Sequence, residues 1–498
     1  MQPSSYNSYK TTLQKIADIK YASAVLQWDQ ETYLPSKGND ARGRQIATLN
    51  ELAHEHFTDE KLGALLNELV LSNDISSNQK RNVELSLEDY NKNKKLPSAF
   101  VRQMSEAINK SFHAWIQARK ENNFALFEKP LQTIIDLKRQ EAEFIGYEHH
   151  PYDALMNEYD KGLTTKKADK VFADLMPPLK LLLDKIATKP KIDTSFLRQH
   201  FDKNTQWEVG TEMLKRMQFD FDAGRQDISE HPFTTNFCSQ DVRVTTRIDE
   251  NDFSNMLWSC IHEGGHALYE QGLPADQYGL PLGEYCSLSI HESQSRLWEN
   301  CIGRSRPFWE NNYELLKEKF PVQFNVVTLN SFYRAINSVQ PSLIRTEADE
   351  LTYHFHVMIR YEIEKLLIEG TIVAKDIPTY WNQKYSQYLG VKPTDDVSGC
   401  LQDVHWSHGS FGYFATYSLG SLYAAQFNTT FKSQKSSVVG MGNGEEIEQV
   451  LAWLQKNIYA FGRYYNAEEL CKKATGSNLE ADYFLNYANE KYGDLYDL

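Results

Sequence analysis

Cysteine is scarce in this chain: six residues in 498, at Cys238, Cys260, Cys286, Cys301, Cys400 and Cys471, with no CxxC pair. That spread excludes a disulfide frame and reads as buried thiols. No window supplies the roughly 18 apolar residues that a membrane span needs. The opening MQPSSYNSYKTTLQKIADIK has no apolar core of a signal peptide, so a cytoplasmic location and no membrane partner are expected. Positive charge is also short. Lys and Arg number 53 against 67 Asp and Glu, a net charge of −14, and no basic stripe carries interleaved aromatics. An acidic surface repels phosphate backbones, which excludes nucleic acid as a partner. There is no internal repeat and no low-complexity linker; the clearest loop, SQKSSVVGMGNG from Ser433 to Gly444, is short.

What the chain has in quantity is length and aromatic rings. Hydrophobic residues at 41% and charged residues at 24% are ordinary for a globular protein, and 498 residues suffice for one large helical body or two lobes. The 28 Tyr, 25 Phe and 9 Trp fit aromatic-rich helix packing. Leu13, Ile16, Ile19, Ala22 and Leu26 recur at helical spacing. Pro97 and the residues after it predict a long helix with proline in its first turn. Helical patterns also cover Lys167 to Lys185, with a kink expected at Pro177-Pro178, and Glu350 to Ile368, Glu445 to Phe461 and Leu479 to Tyr492. One stretch differs: in DVRVTTRI, Val242, Val244, Thr246 and Ile248 alternate with Arg243, Thr245 and Arg247, which predicts a strand able to hold an extended peptide at its edge.

The chemistry sits just beyond that strand, in FSNMLWSCIHEGGHALYEQGLP. Phe253, Leu257, Cys260, Ile261 and Leu268 define one apolar helical face, Asp252 can cap its start, and Gly272 with Pro274 can end it. His262 and His266 are four residues apart, about one turn, so both imidazoles leave the same side and can share one metal. Glu263 is turned about 100° from His262 and can reach a metal-bound water as general base. This is the H-E-x-x-H arrangement of metallopeptidases. Gly264 and Gly265 cost the helix roughly 1 kcal/mol each relative to alanine, which calls for a close approach by substrate or by another backbone. A catalytic zinc needs a third ligand, and the candidates are Glu284, His291, Glu292 and Glu299. Helical spacing alone does not rank His291 against Glu292.

Several ordered motifs, DVRVT (Asp241 to Thr245), HEGGH (His262 to His266), HESQSR (His291 to Arg296), IRTEAD (Ile344 to Asp349) and GCLQDVHW (Gly399 to Trp406), together with WDQET at Trp28 to Thr32 and FGYFATYSLG at Phe411 to Gly420, span nearly the whole chain. They resemble the carboxypeptidase Taq family of zinc-dependent metallocarboxypeptidases. The resemblance implies Glu292 as the third zinc ligand and a mainly α fold, a large helical body with a long substrate groove and a small sheet near the HEXXH helix, like neurolysin and angiotensin-converting enzyme. It implies a single catalytic domain over residues 1–498, in one body or two lobes, and a homodimer. The activity implied is removal of the C-terminal residue from peptides with a free C-terminus, by Glu263-assisted attack of zinc-bound water; Co2+ or Mn2+ can substitute in such a ligand set. Tyr413 and His405 are the candidates for stabilising the oxyanion, with His408 a rival. Arg345 is the candidate for binding the C-terminal carboxylate, against a local i,i+4 ion pair with Asp349. Asp241, Arg243 and Gln402 are candidates for shaping the groove or supporting it. Ala415 departs from the family pattern, where proline is usual. His354 and His356 read as structural. The competing readings are an oligoendopeptidase or dipeptidyl carboxypeptidase on the same scaffold, and an inactive peptide-binding protein.

Overall fold

The computed structural model describes residues 5–434 and 444–498. Ser433 and Gln434 close one helix and Gly444 opens the next, and the remainder of the loop expected there lies outside the described residues. The chain divides into two compact units. One is built from Met1–Asn93, Asp193–Ile336 and Phe427–Asn478, the other from Lys94–Ile192, Asn337–Gln426 and Leu479–Leu498.

In the first unit, the apolar spacing near the N-terminus produces α1 (Ser5–Thr32), which buries Tyr9, Leu13, Ile16 and Trp28. The unit holds a three-stranded sheet, β1 (Gly224–Ile228), β2 (Thr234–Cys238) and β3 (Asp241–Thr246), in the order β1-β3-β2. β1 runs parallel to β3 and β2 antiparallel to it, with an irregularity between Asn236 and Cys238. The predicted alternation forms β3, which ends at Thr246, so Arg247 and Ile248 leave the strand. Val242 and Val244 are buried on the face that packs against α2 (Phe253–Gln271). On the other face the Arg243 guanidinium lies 4.4 Å from the Trp28 ring and 4.8 Å from Phe237, so α1 is tied to the sheet by a charge over aromatic faces.

Helix α2 starts where its cap predicts: Asp252 accepts a hydrogen bond from the Ser254 N–H. Its apolar face, Phe253, Leu257, Cys260, Ile261 and Leu268, is buried. The two glycines have separate reasons. A Cβ at Gly264 would come within 2.7 Å of Leu214 Cδ2. A Cβ at Gly265 would come within 2.7 Å of Ser295 Cα and 2.8 Å of the Gln294 carbonyl oxygen. The close partner at Gly265 is therefore the backbone of α3 (Leu288–Arg296), which continues into a π-helical turn at Leu297–Gly303.

In the second unit, α4 (Thr352–Glu369) is buried all round over its first ten residues, as an interior helix segment must be. It packs against the helices Ala125–Ile145, Pro151–Tyr159 and Ile377–Leu389. His354 and His356 are fully buried on it, within hydrogen-bonding distance of Ser418 and Tyr385. Helix Ser98–Glu121 begins one residue after Pro97, which is extended at φ −61 and ψ 139. The proline thus precedes the first turn, where its fixed φ and missing N–H cost nothing. Helix Thr165–Ala187 runs through Pro177 and Pro178. All six cysteines are free, and among the described residues no helix is long and apolar enough to cross a membrane.

Replacing Gly265 by alanine should destabilise the fold by about 1–3 kcal/mol, because rigid backbone meets the new methyl. Gly493→Ala, in a helix with nothing near the added carbon, should be neutral or gain up to about 1 kcal/mol. Urea unfolding midpoints of the two variants test the contrast; equal midpoints would remove the backbone contact as the reason for Gly265.

Candidate metal centre

Helices α2 and α3 cross at Gly265, and the crossing brings three donors together. Glu292 Oε2 lies 3.6 Å from His262 Nε2 and 3.5 Å from His266 Nε2, and the three donor atoms fall within 4.8 Å of one another. A tetrahedral ion with bonds of about 2.0–2.1 Å separates its ligands by about 3.3–3.4 Å, so the set fits a divalent metal. Each imidazole is fixed through its other nitrogen. His262 Nδ1 donates to Glu299 Oε2 at 2.9 Å, and His266 Nδ1 donates to the His291 carbonyl at 3.0 Å. Both Nε2 atoms are left toward Glu292.

The surrounding charges set protonation. Burial opposes ionisation of Glu292, yet Arg296 (Nε to Oε1, 2.7 Å) and the two imidazoles hold it well below the usual carboxylate range. Burial, with His291 nearby, pulls His266 down to about 3. Burial alone would lower His262 too, but Glu292 and Glu299 outweigh it and raise it. Glu299 overcomes its burial through Arg296 at 3.3 Å and Arg304 at 2.9 Å, and stays ionised. A neutral His266 beside an ionised Glu292 is the state a cation requires.

Glu263 is buried beside the trio. Thr234 Oγ1, on β2, donates to its Oε2 at 2.6 Å and to its carbonyl at 3.0 Å. Burial raises its pKa, against the lowering pull of His262 and of Thr234. His291 is not among the three donors: its Nε2 donates to Glu270 Oε1 at 2.8 Å, and its ring stacks on His266 at 4.4 Å. Glu270 Oε2 in turn accepts from Asn236 Nδ2 at 2.6 Å. Glu284 sits 3.3 Å from Arg463. Asp241 binds Arg243 through both oxygens, at 2.9 and 3.0 Å, on the sheet face opposite α2. Thr234 and Glu270 escaped the sequence reading. Glu270 is seven residues from Glu263, on the same helical face, a legible signal; Thr234 left none.

In the second unit the remaining candidates form their own cluster. Arg345 is buried in a 3-10 turn, with Nε and Nη2 each 2.9 Å from Asp403 Oδ1 and Nη1 3.1 Å from Tyr353 Oη. The other Asp403 oxygen accepts from Arg360 Nε at 2.6 Å. Asp349 instead caps α4 through the Leu351 and Thr352 N–H groups, so the local pair with Arg345 does not form. Gln402 accepts from the Arg345 N–H and from Arg360, and donates to the Leu343 carbonyl. His405 Nε2 is 3.1 Å from Tyr417 Oη, and burial with Arg345 nearby pulls it down to about 3. The Tyr413 ring centroid lies 5.3 Å from His405 and 5.1 Å from Tyr159. His408 is exposed, against Phe112. Ala415 is buried at the second position of α5 (Phe414–Gln434), a first-turn place that proline also tolerates. Glu364 on α4 is fully buried and accepts from Tyr152 Oη (2.5 Å), Trp406 Nε1 (2.7 Å) and the Gly412 N–H (2.8 Å), which fixes the segment that carries His405 and Tyr413.

The family model described as carboxypeptidase Taq (M32) metallopeptidase matches residues 8–492. Carboxypeptidase 1 of Bacillus subtilis (strain 168) is 38% identical over 486 residues, 97% of each chain. Thermostable carboxypeptidase 1 of Pyrococcus furiosus is 37% identical over 481 residues, 96% of each. The crystal structure of an M32 carboxypeptidase from Deinococcus radiodurans R1 superposes with a TM-score of 0.97 at 38% identity, covering 100% of both chains.

Glu299→Gln should weaken metal binding about 10- to 100-fold, since the charge that orients His262 is lost. Competition with a chromogenic chelator reads this directly, and unchanged affinity would deny Glu299 the role. A second prediction concerns pH. Burial pushes Glu364 up to about 7 from its ordinary 4.5, so the folded chain holds a proton that the unfolded chain releases in that window. Its contribution to stability is fully present below about pH 4.5 and is lost as pH rises through 7, by about 3 kcal/mol. Glu364→Gln must aim an amide NH2 at Trp406 or Gly412, a pH-independent cost of about 1–3 kcal/mol. The stability gap between wild type and variant should therefore be wider at pH 5 than at pH 8; a constant gap in urea unfolding would count against it.

Proposed function

The chain belongs to the carboxypeptidase Taq (M32) family of metallopeptidases, and with that membership as premise we propose that it is a zinc-dependent carboxypeptidase, with His262, His266 and Glu292 as ligands and Glu263 as general base. The observation that carries this reading is the meeting of two imidazole Nε2 atoms and one carboxylate oxygen, with Glu263 on the next helical position. Two histidines and a glutamate are a ligand set of catalytic zinc sites. Cobalt or manganese would be accepted by the same donors.

A bound divalent ion supplies Lewis-acid polarisation of the scissile carbonyl and lowers the pKa of a water molecule toward about 7. Glu263, oriented by Thr234, would take a proton from the attacking water as its oxygen bonds to the carbonyl carbon. The same carboxylic acid then delivers the proton to the leaving nitrogen as the C–N bond breaks. Tyr413 and His405 are the proposed donors to the oxyanion. Burial keeps His405 neutral, which suits a hydrogen-bond donor that must not titrate near neutrality.

Arg345 is the proposed partner of the substrate's free carboxylate. In its support, Arg345 and Arg360 share the single carboxylate of Asp403, so two positive charges meet one negative and the buried cluster keeps a net positive charge. An anionic chain end would balance it. Gln402, which links both arginines, and the Asp241–Arg243 pair, which stiffens the sheet, would shape the site. β2 is an edge strand beside Glu263, and its outer edge can align an extended peptide. We further propose one catalytic domain across the chain, supported by a family match from residue 8 to 492, a homodimer on the strength of the resemblance, and a cytoplasmic location, supported by six free thiols.

The test is a peptide and its C-terminally amidated twin, each incubated with zinc-loaded protein and followed by mass. The free acid should lose residues singly from its C-terminus while the amide resists. Internal cleavage of both would favour an endopeptidase, loss of two residues at a time a dipeptidyl carboxypeptidase, and binding without cleavage a peptide-binding protein. Glu263→Gln should keep its zinc and lose nearly all turnover.

A further inference from the structure

A cavity of about 400 Å3 lies in the first unit between α1, the hairpin of β2 and β3, and the segment Pro274 to Glu284. Its walls mix polar and apolar groups, with Tyr21 and Tyr278 paired at 5.7 Å and Phe237 beside them. Of sixteen lining residues, two are carboxylates and none is Lys, Arg or His. Asp241 is neutralised in a two-pronged pair with Arg243. Glu284 shares Arg463, 3.3 Å away, with Asp89, whose two oxygens each hold that guanidinium at 2.7 Å, and Lys20 adds a weaker pull. Half of the Glu284 side chain is open to solvent, yet surrounding protein raises its pKa against the pull of Arg463. The carboxylate stands at a cavity wall where no lining residue is Lys, Arg or His, so a cationic group entering the cavity meets it directly.

The position of the cavity follows from β2. Thr234 and Asn236 are two residues apart and share the face toward α2. Thr234 binds Glu263, whereas Asn236 binds Glu270 and lines the cavity. Two strand residues advance about 6.6–6.8 Å. A peptide extended along this edge, with its scissile bond at Glu263, therefore reaches the cavity about two residues away. A carboxypeptidase leaves only one residue on the C-terminal side of that bond, so the residue at the cavity lies on the N-terminal side.

We propose that this cavity is a substrate subsite for a cationic side chain, lysine or arginine, on the third or fourth residue from the peptide's C-terminus. It rests on the carboxypeptidase reading and on Glu263 marking the scissile bond. The long aliphatic stem lies along Val25, Leu280 and the tyrosine rings, and the charged head meets Glu284.

The test uses zinc-loaded full-length protein and hexapeptides with a single lysine walked through positions two to five from the C-terminus, each against its norleucine twin, which keeps the stem and drops the charge. Lysine at the third or fourth position should raise kcat/KM about tenfold over norleucine, less at high salt. Glu284→Gln should bring that ratio close to one, and so should Ala22→Trp, which fills the cavity from α1 without touching the carboxylate. A ratio near one at every position, with norleucine peptides still trimmed, overturns the subsite and leaves the activity standing. A preference that survives both variants overturns its assignment to this cavity. Failure to trim any of the peptides overturns the carboxypeptidase reading, and the subsite with it.

Discussion

The metal centre depends on one contact without side chains: α3 crosses α2 at Gly265, so closely that a single added carbon would sit 2.7 Å from Ser295 Cα. The histidines are placed by the period of α2 alone. Glu292 is not, because its position depends on how near α3 lies and on how that helix is rotated. The crossing fixes both. It also brings the His291 carbonyl to His266 Nδ1, so one approach positions one candidate ligand and orients another. Two mid-helix glycines give up roughly 2 kcal/mol of helix propensity, small beside the cost of misplacing a ligand.

Around that crossing the charges form a closed set. Arg296 bridges Glu292 and Glu299, Glu299 also meets Arg304 and His262, and Arg304 lies 3.8 Å over the Trp258 ring. Removing one member of such a group strands another in a poorly solvating interior, a cost of several kcal/mol. The second unit solves the opposite problem. Asp403 lies between Arg345 and Arg360, and the excess there is positive.

The difference between what could and could not be read from sequence follows from distance along the chain. A four-residue spacing is a statement about one helix, so the pairing of His262 with His266 was plain. So were the cap at Asp252 and the alternation that makes β3. Glu292 and His291 differ by one position, about 100° of rotation, and only the packing of α3 decides between them; a family resemblance was needed to choose. Thr234 is 29 residues before Glu263 and had no local signature. Arg345 and Asp403 are 58 residues apart, and the nearer carboxylate, Asp349, went to a helix cap because backbone N–H groups at an N-terminus are obligatory customers for it.

The glutamates make the same point in chemical terms. Glu263, Glu270, Glu292, Glu299 and Glu364 are all buried, and the sequence gives each the same side chain. Neighbours divide them. Glu292 and Glu299 face arginine and imidazole and stay ionised. Glu364 faces three neutral donors and titrates near 7. Glu263 has a hydroxyl and an imidazole as neighbours, and burial raises it against their pull, the direction a general base needs. A divalent cation would draw Glu292 and both imidazoles further toward their ligand forms, while Glu263 keeps the Thr234 hydroxyl as its hydrogen-bond partner. The candidate ligand and the candidate base therefore differ in neighbours as well as in position: Arg296 contacts Glu292 and Glu299, and Thr234 contacts Glu263.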